Sequence, residues 1–170
     1  MAEHLLTEIV VEKGINIVPE LLEAKVSECH MSVQYLPGSL SRIVSQMSEE
    51  IATPTLIDVA KEGNLYTRLA ALDTLIHFPK TAIPLYIETL KDEETAIRWR
   101  GLINLRVLLR NGQVDNRKEV ISVIASALKD KDESICSEAE KIINELGREA
   151  IPVLVHRLQN NESSFLKQPS

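Results

Sequence analysis

Aromatic side chains are scarce, at 4% of 170 residues: three tyrosines, two phenylalanines and one tryptophan. A chain so poor in strand-favouring residues and so rich in Ala, Leu, Ile and Glu is not built for a β core, and an all-α protein is expected. Cysteine is scarcer still. Cys29 and Cys136 lie far apart without CxxC or metal spacing, which excludes a disulfide framework and a cysteine zinc site. No run approaches the roughly 18 apolar residues of a membrane span, and no basic region leads into an apolar stretch at the N-terminus. No membrane attachment is expected, and the cytoplasm is the expected compartment. GxSxG, P-loop and GxGxxG motifs are missing, so acyl transfer, phosphoryl transfer and dinucleotide chemistry lack their elementary parts. The histidines at 4, 30, 77 and 156 form no HExxH or His-Glu pair, and no metal or cofactor is expected.

What is present is 44% hydrophobic residues and 26% charged, enough for one domain with a core. The formal net charge of −6 is unevenly spread. Residues 1–62 carry ten acids and four bases, residues 63–118 six acids and nine bases, and residues 119–170 nine acids and six bases. Nucleic acid is therefore not an expected partner, since only the central segment could neutralise phosphate.

The chain repeats itself, and this decides the architecture. Thr53-Pro54 through Lys61-Glu62 aligns with Ile83-Pro84 through Lys91-Asp92 at a shift of 30, which aligns with Ile121-Ser122 through Lys129-Asp130 at a shift of 38. Ile151-Pro152 through Asn160 opens a further copy. The longer step contains Arg110 through Asn116, a Gly/Asn/Asp-containing stretch that reads as an extended loop. Each unit predicts two antiparallel helices. The first has proline near its start, at 54, 84 and 152, with Thr53 and Thr81 as N-caps. The second carries a small residue at Ala71, Gly101 and Ala139, a large one four later at Leu75, Leu105 and Ile143, and another at Phe78, Leu108 and Leu146. That i, i+4, i+7 spacing is a core stripe. Pro79 or Gly147 is expected to end the second helix.

The units "AIPLYIETLKDEETAIRWRGLINL" and "EVISVIASALKDKDESICSEAEKIINELG" resemble HEAT repeats, most closely the short phycobilin-lyase-type HEAT-like repeats. The resemblance rests on Ile-Pro, a Leu-Lys-Asp break and a Val/Ile-Arg opening to the second helix, and covers about residues 51–160. It implies a right-handed α-solenoid, a superhelix of paired antiparallel helices, whose concave side receives partners. Cys136 departs from the arginine found at Arg68 and Arg98. Residues 1–50, with helical stretches at 3–13, 19–29 and 39–50, read as an N-terminal cap or a degenerate repeat, and residues 161–170 as an unstructured tail. Self-association through the solenoid ends is open to such a chain.

Helical geometry places Trp99, Ile103, Arg106 and Arg110 opposite the core stripe, with Leu69, Asp73 and Ile76, and Ser137, Lys141 and Asn144, at matching positions. The resemblance puts this surface on the concave side. Trp beside Arg is hot-spot chemistry, so Arg68, Leu69, Trp99, Arg100, Ile103, Arg106 and Arg110 form the candidate partner-binding set. The bland alternative is that Trp99 packs on a neighbouring helix or on residues 1–50 and its arginines are solvated. The expected function is a non-catalytic protein-binding module: an adaptor, inhibitor or assembly factor. The resemblance also brings in one subunit of a bilin lyase or chromophore chaperone, and a HEAT-type DNA glycosylase, for which a single Trp and a negative charge are poor equipment.

Overall fold

The computed structural model describes residues 49–165. The three helical stretches expected before Glu50, with Cys29, His4 and His30, lie outside the described residues but for the end of the third. Among the described residues there are seven α-helices and no strand: α1 (Glu49–Glu62), α2 (Leu65–Leu75), α3 (Pro79–Thr89), α4 (Thr95–Arg110), α5 (Arg117–Ser126), α6 (Glu133–Leu146) and α7 (Ile151–Phe165). Short 3₁₀ turns at Ala127–Lys129 and Gly147–Glu149 close α5 and lead into α7. The chain divides into two compact units between Asn104 and Leu105, within α4. α7 runs past residue 160, into the stretch expected to be tail.

In the first unit α1 packs on α2 and α2 on α3. Their shared core contains Ala52, Leu56, Ala71, Leu72, Leu75, Leu85, Tyr86, Ile97 and Leu102, all buried. Asn64 starts α2 by accepting the Tyr66 and Thr67 N–H groups on its side-chain oxygen, at 3.0 and 3.1 Å, which satisfies donors that a first turn leaves open. In the second unit α5 packs on α6 and α7, around Val120, Ile121, Ile124, Ile135, Ala139 and Ile142. Asp132 caps α6 at Ser134. Gly147 ends that helix with φ +54°, as expected, a conformation that glycine adopts without strain.

The repeat is visible in the hydrogen bonds. The carbonyls of Asn64, Glu94 and Asp132, which begin the second helix of successive units, accept the N–H groups of Arg68, Arg98 and Cys136 at 2.9, 3.1 and 3.2 Å. The Asp92 and Asp130 carboxylates each turn the preceding break by accepting the N–H two residues on, at 3.0 and 2.9 Å. Ala71, Gly101 and Ala139 are all buried. A Cβ on Gly101 would lie 2.1 Å from Thr89 Oγ1 and 3.1 Å from the Tyr86 carbonyl. Hydrogen at this position is what lets α4 approach α3.

Several details differ from the sequence expectation. Pro54 and Pro84 lie inside α1 and α3 rather than at their starts, because α1 already begins at Glu49 and Pro79 takes the first-turn position of α3. The second helix does end before Pro79, as expected, and Pro79 also opens the next one. Only Pro152 occupies the expected place, second in α7. The hydroxyl of Thr53 donates back to the Glu49 carbonyl at 2.8 Å and that of Thr81 to the Glu49 carboxylate at 2.5 Å, so neither is an N-cap. In α6 the stripe turns slightly: Ile135, Ala139 and Ile142 are fully buried, while Ile143 and Leu146 are half-buried. The long loop stands as expected, turning at Gly112 with φ +70° and burying Val114.

Candidate functional site

Trp99 is exposed on α4, at 37% of its surface, because it falls opposite Ile97 and Gly101, which face the core. Ile103, one turn on, is half-buried, as are Leu69 on α2 and Ile76 at its C-cap. The Arg100 guanidinium lies over the Trp99 ring, 5.6 Å from its centroid, within cation–π range. Its Nη1 reaches the Asp73 carboxylate of α2 at 3.1 Å. Arg100 Nε is buried without a hydrogen-bond partner. Burial pushes the Asp73 carboxyl above the usual aspartate range, and Arg100 offsets only part of that. Behind this pair, the Leu72 carbonyl accepts from the Tyr86 hydroxyl at 2.7 Å and from Asn104 Nδ2 at 3.1 Å. Burial first, and then the Asp73 charge, hold the Tyr86 hydroxyl in its neutral form far above its ordinary range. The surface bearing Trp99 therefore rests on a fixed polar floor.

Arg68 belongs elsewhere. Its Nε donates to the Ala60 carbonyl at 2.9 Å and its Nη2 pairs with Asp92. It lines a cavity of about 200 Å³ with Lys61, Leu85, Glu88 and Thr89, none of them near-neighbours of Trp99 in the sequence pattern. This arginine joins α1 to the break after α3 and is a fold contact. Arg98, next to Trp99 in the sequence, is only 2% exposed, donating from Nη1 to the Asp92 and Glu93 carbonyls, both at 2.9 Å.

Arg106 and Arg110 lie in the second unit. Arg106 is engaged on both sides: Nη1 meets Glu138 at 2.7 Å, Nε meets Glu145 at 2.9 Å, and Nη2 closes a second contact to Glu145. Arg117 forks onto Glu149 at 2.5 and 2.7 Å and caps the end of α4 at the Leu109 carbonyl, 2.8 Å away. Arg106, Arg110, Arg117, Glu145 and Glu149 rim a cavity of about 240 Å³ with a floor of Leu109, Ile142 and Leu146. The Arg106 hydrogen bond holds the Glu145 carboxyl below its usual range, and Arg117 does the same for Glu149. Sequence reasoning missed these pairs and the floor under Trp99, since the acids lie many residues from their arginines.

Of the seven candidate residues, Leu69, Trp99, Arg100 and Ile103 are on the exposed or half-exposed side of the first unit. Arg68 and Arg106 are committed to ion pairs within their own units, and Arg110 is exposed. No group of three His, Cys, Asp or Glu side chains that could hold a metal occurs among the described residues, and none of the described helices is long and apolar enough to cross a membrane. No protein-family model matches the chain, nor does any curated protein or solved structure.

Proposed function

We propose that this chain is a HEAT-like α-solenoid acting as a non-catalytic protein-binding module, and that Trp99 with Arg100, Ile103 and Leu69 is the centre of its partner site. One observation carries the reading. The only tryptophan in the sequence stands exposed beside half-buried aliphatics, with an arginine held over its ring from behind by Asp73. Folding of the unit gives no reason for an exposed indole, whereas a rigid aromatic on a fixed polar floor loses little entropy when a partner covers it. The repeated helix-pair hydrogen bonds support the solenoid architecture. Arg106 and Arg68 are left out of the site, because their guanidinium groups are already satisfied.

The test is a paired capture. Wild-type protein and Trp99→Ala are immobilised, and bound proteins are identified by mass spectrometry from cells of the protein's own source. A partner retained by the wild type and lost with Trp99→Ala, at an unchanged melting midpoint, supports the reading. Loss of stability with unaltered capture removes Trp99 from the site. Visible absorbance on mixing with bilin, or a salt-sensitive shift of DNA, would instead favour the lyase or glycosylase alternatives.

A further inference from the structure

The longer step of the repeat closes α4 with a cap. Asn111 still donates its N–H to the Val107 carbonyl at 3.0 Å and so belongs to the last turn. Gly112, at φ +70°, donates to the Leu109 carbonyl at 3.2 Å, and Gln113 reaches back to Leu108 at 2.9 Å. This nested pair of bonds around a left-handed glycine is a Schellman motif. Val114 follows it into the core, and Arg117 shares the Leu109 carbonyl at 2.8 Å, so the cap also fixes how the chain leaves for α5.

The φ at 112 calls for glycine. Nothing in the cap calls for asparagine before it. The Asn111 side chain is exposed, and its Nδ2 donates to the exposed Gln113 side chain at 3.3 Å. Asn-Gly occurs once in the sequence, and every other asparagine precedes a residue with a side chain. Asn64 is held as a cap, Asn104 is buried on the Leu72 carbonyl, and Asn116 donates to Glu119 at 2.5 Å. Asn111 thus combines an exposed amide with a following nitrogen that no Cβ shields, and the space around Gly112 is open to 4 Å.

We infer that Asn111-Gly112 is a site of spontaneous deamidation, and that the isoaspartate formed there dismantles the cap of α4. The Gly112 nitrogen gives its proton to hydroxide and attacks Asn111 Cγ. The N–Cγ bond forms, the Cγ–Nδ2 bond breaks, and ammonia leaves with a proton from water, which regenerates hydroxide and closes a five-membered imide. Water then opens the ring. Attack at Cγ gives aspartate, and attack at the main-chain carbonyl gives isoaspartate, whose backbone runs through Cβ and Cγ. In a helical turn Cβ leans toward the N-terminus, away from the next nitrogen, so ring closure requires Asn111 to leave the turn. Helix ends open most readily. Isoaspartate carries the Gly112 and Gln113 N–H groups out of register with Leu109 and Leu108, whereas aspartate keeps the register and only sets an anion at the negative end of the helix.

Ageing of the full, folded chain at neutral pH tests this, with a zero-time digest subtracted. Asn111 and Asn116 share the tryptic peptide between Arg110 and Lys118, and fragmentation in the mass spectrometer separates them. Asn111 should gain about one dalton at least about tenfold faster than Asn116, whose neighbour has a Cβ. The rate should climb with pH, because the attacking nitrogen is the deprotonated one. An isoaspartyl methyltransferase, which labels isoaspartate and not aspartate, should mark that peptide in the aged wild type and not in Asn111→Gln, whose longer side chain must close a larger ring. In the isoaspartate fraction, hydrogen exchange at Gly112 and Gln113 should be at least about tenfold faster than in fresh protein, while Asn111→Asp should stay close to fresh protein. Trp99→Ala should age like the wild type, so this inference and the partner site can fail separately. An Asn111 that converts in urea but stays intact in the folded chain overturns the inference, because the cap would then protect it. So does isoaspartate that leaves exchange at Gly112 and Gln113 unchanged.

Discussion

Arg98 and Cys136 occupy the same position of successive repeats, and each donates to the backbone carbonyl six residues before it: Arg98 Nη1 to Asp92 at 2.9 Å and Cys136 Sγ to Asp130 at 3.2 Å. A guanidinium and a thiol thus do the same task, holding the break between two helices against the start of the second. The guanidinium reaches further and takes the Glu93 carbonyl as well. Arg68, at the equivalent place one unit earlier, finds the Ala60 carbonyl and Asp92 instead.

The two donors differ in strength, and stability should reveal it. Arg98 is charged, buried and makes several bonds, so Arg98→Ala is expected to cost about 2–3 kcal/mol. Cys136→Ala removes one weak S–H donor and should cost below about 1 kcal/mol. Urea denaturation of both variants measures the difference. Equal losses would show that the arginine is not what holds its loop.

Gly101 supplies a second prediction. Gly101→Ala forces its methyl against Thr89 Oγ1 and the Tyr86 carbonyl, and should cost on the order of 1–3 kcal/mol by overpacking. Adding Thr89→Ala removes the nearer atom, so the double variant should be more stable than the sum of the single losses implies, although the Tyr86 carbonyl still limits the recovery. Thermal melting of the three variants decides it. Strictly additive losses would mean that Thr89 is not the obstacle.

Helix content, the repeat and the small positions at Ala71, Gly101 and Ala139 were legible in the sequence because each depends on spacing along the chain. Helix starts were less so. A proline marks a place where a donor can be spared, but Pro54 and Pro84 are tolerated further inside their helices than the first turn. Arginine roles were the least legible. Arg106 and Trp99 share a helical face by arithmetic, yet what determines whether Arg106 is available is Glu138 and Glu145, on another helix. No local pattern encodes that pairing.

Arg106 is therefore expected to act on stability. Glu138 is buried and Arg106 is its closest counter-charge, with Lys141 at 3.3 Å as a weaker one. Arg106→Ala should cost about 1–3 kcal/mol, largely by leaving that carboxylate short of partners. Arg106→Ala/Glu138→Gln should recover much of it. Melting midpoints of both variants test this, and an unchanged midpoint in Arg106→Ala would return the residue to the candidate binding set.

Acid should weaken the first unit through Asp92. Burial acts to raise its carboxyl, but the Arg68 hydrogen bond, the Glu94 N–H and the Arg68 and Arg98 charges together outweigh it and hold the group below the usual aspartate range. A carboxyl lowered in the fold contributes stability that is complete above its unfolded value, near about 4, and is lost as pH falls through the folded one. Arg68→Met should remove part of this acid-sensitive stability, so that wild type and variant converge as pH falls. Urea midpoints measured from neutral pH down to below 3 or so test it. A constant gap across that range would assign the Arg68 contribution to packing.

Asp73 has the opposite sign, and Trp99 is positioned to report it. Burial raises its carboxyl above the usual aspartate range despite Arg100, so the stability it contributes is complete below its unfolded value and is lost as pH rises through the folded one. In the folded protein, lowering pH should protonate Asp73 before an ordinary aspartate would be. That step withdraws the charge that holds Arg100 at 3.1 Å and so frees the guanidinium stacked over Trp99. With one tryptophan in the chain, intrinsic fluorescence reads this site alone. Its emission should change in a transition centred above the ordinary aspartate value of about 4, and Asp73→Asn should abolish that transition and shift the neutral-pH spectrum toward the acid form. Acrylamide quenching should rise in the same variant as the ring loses its cover. A transition that survives in Asp73→Asn would mean that another group controls Arg100, and the polar floor beneath Trp99 would then not be what fixes the orientation of this surface.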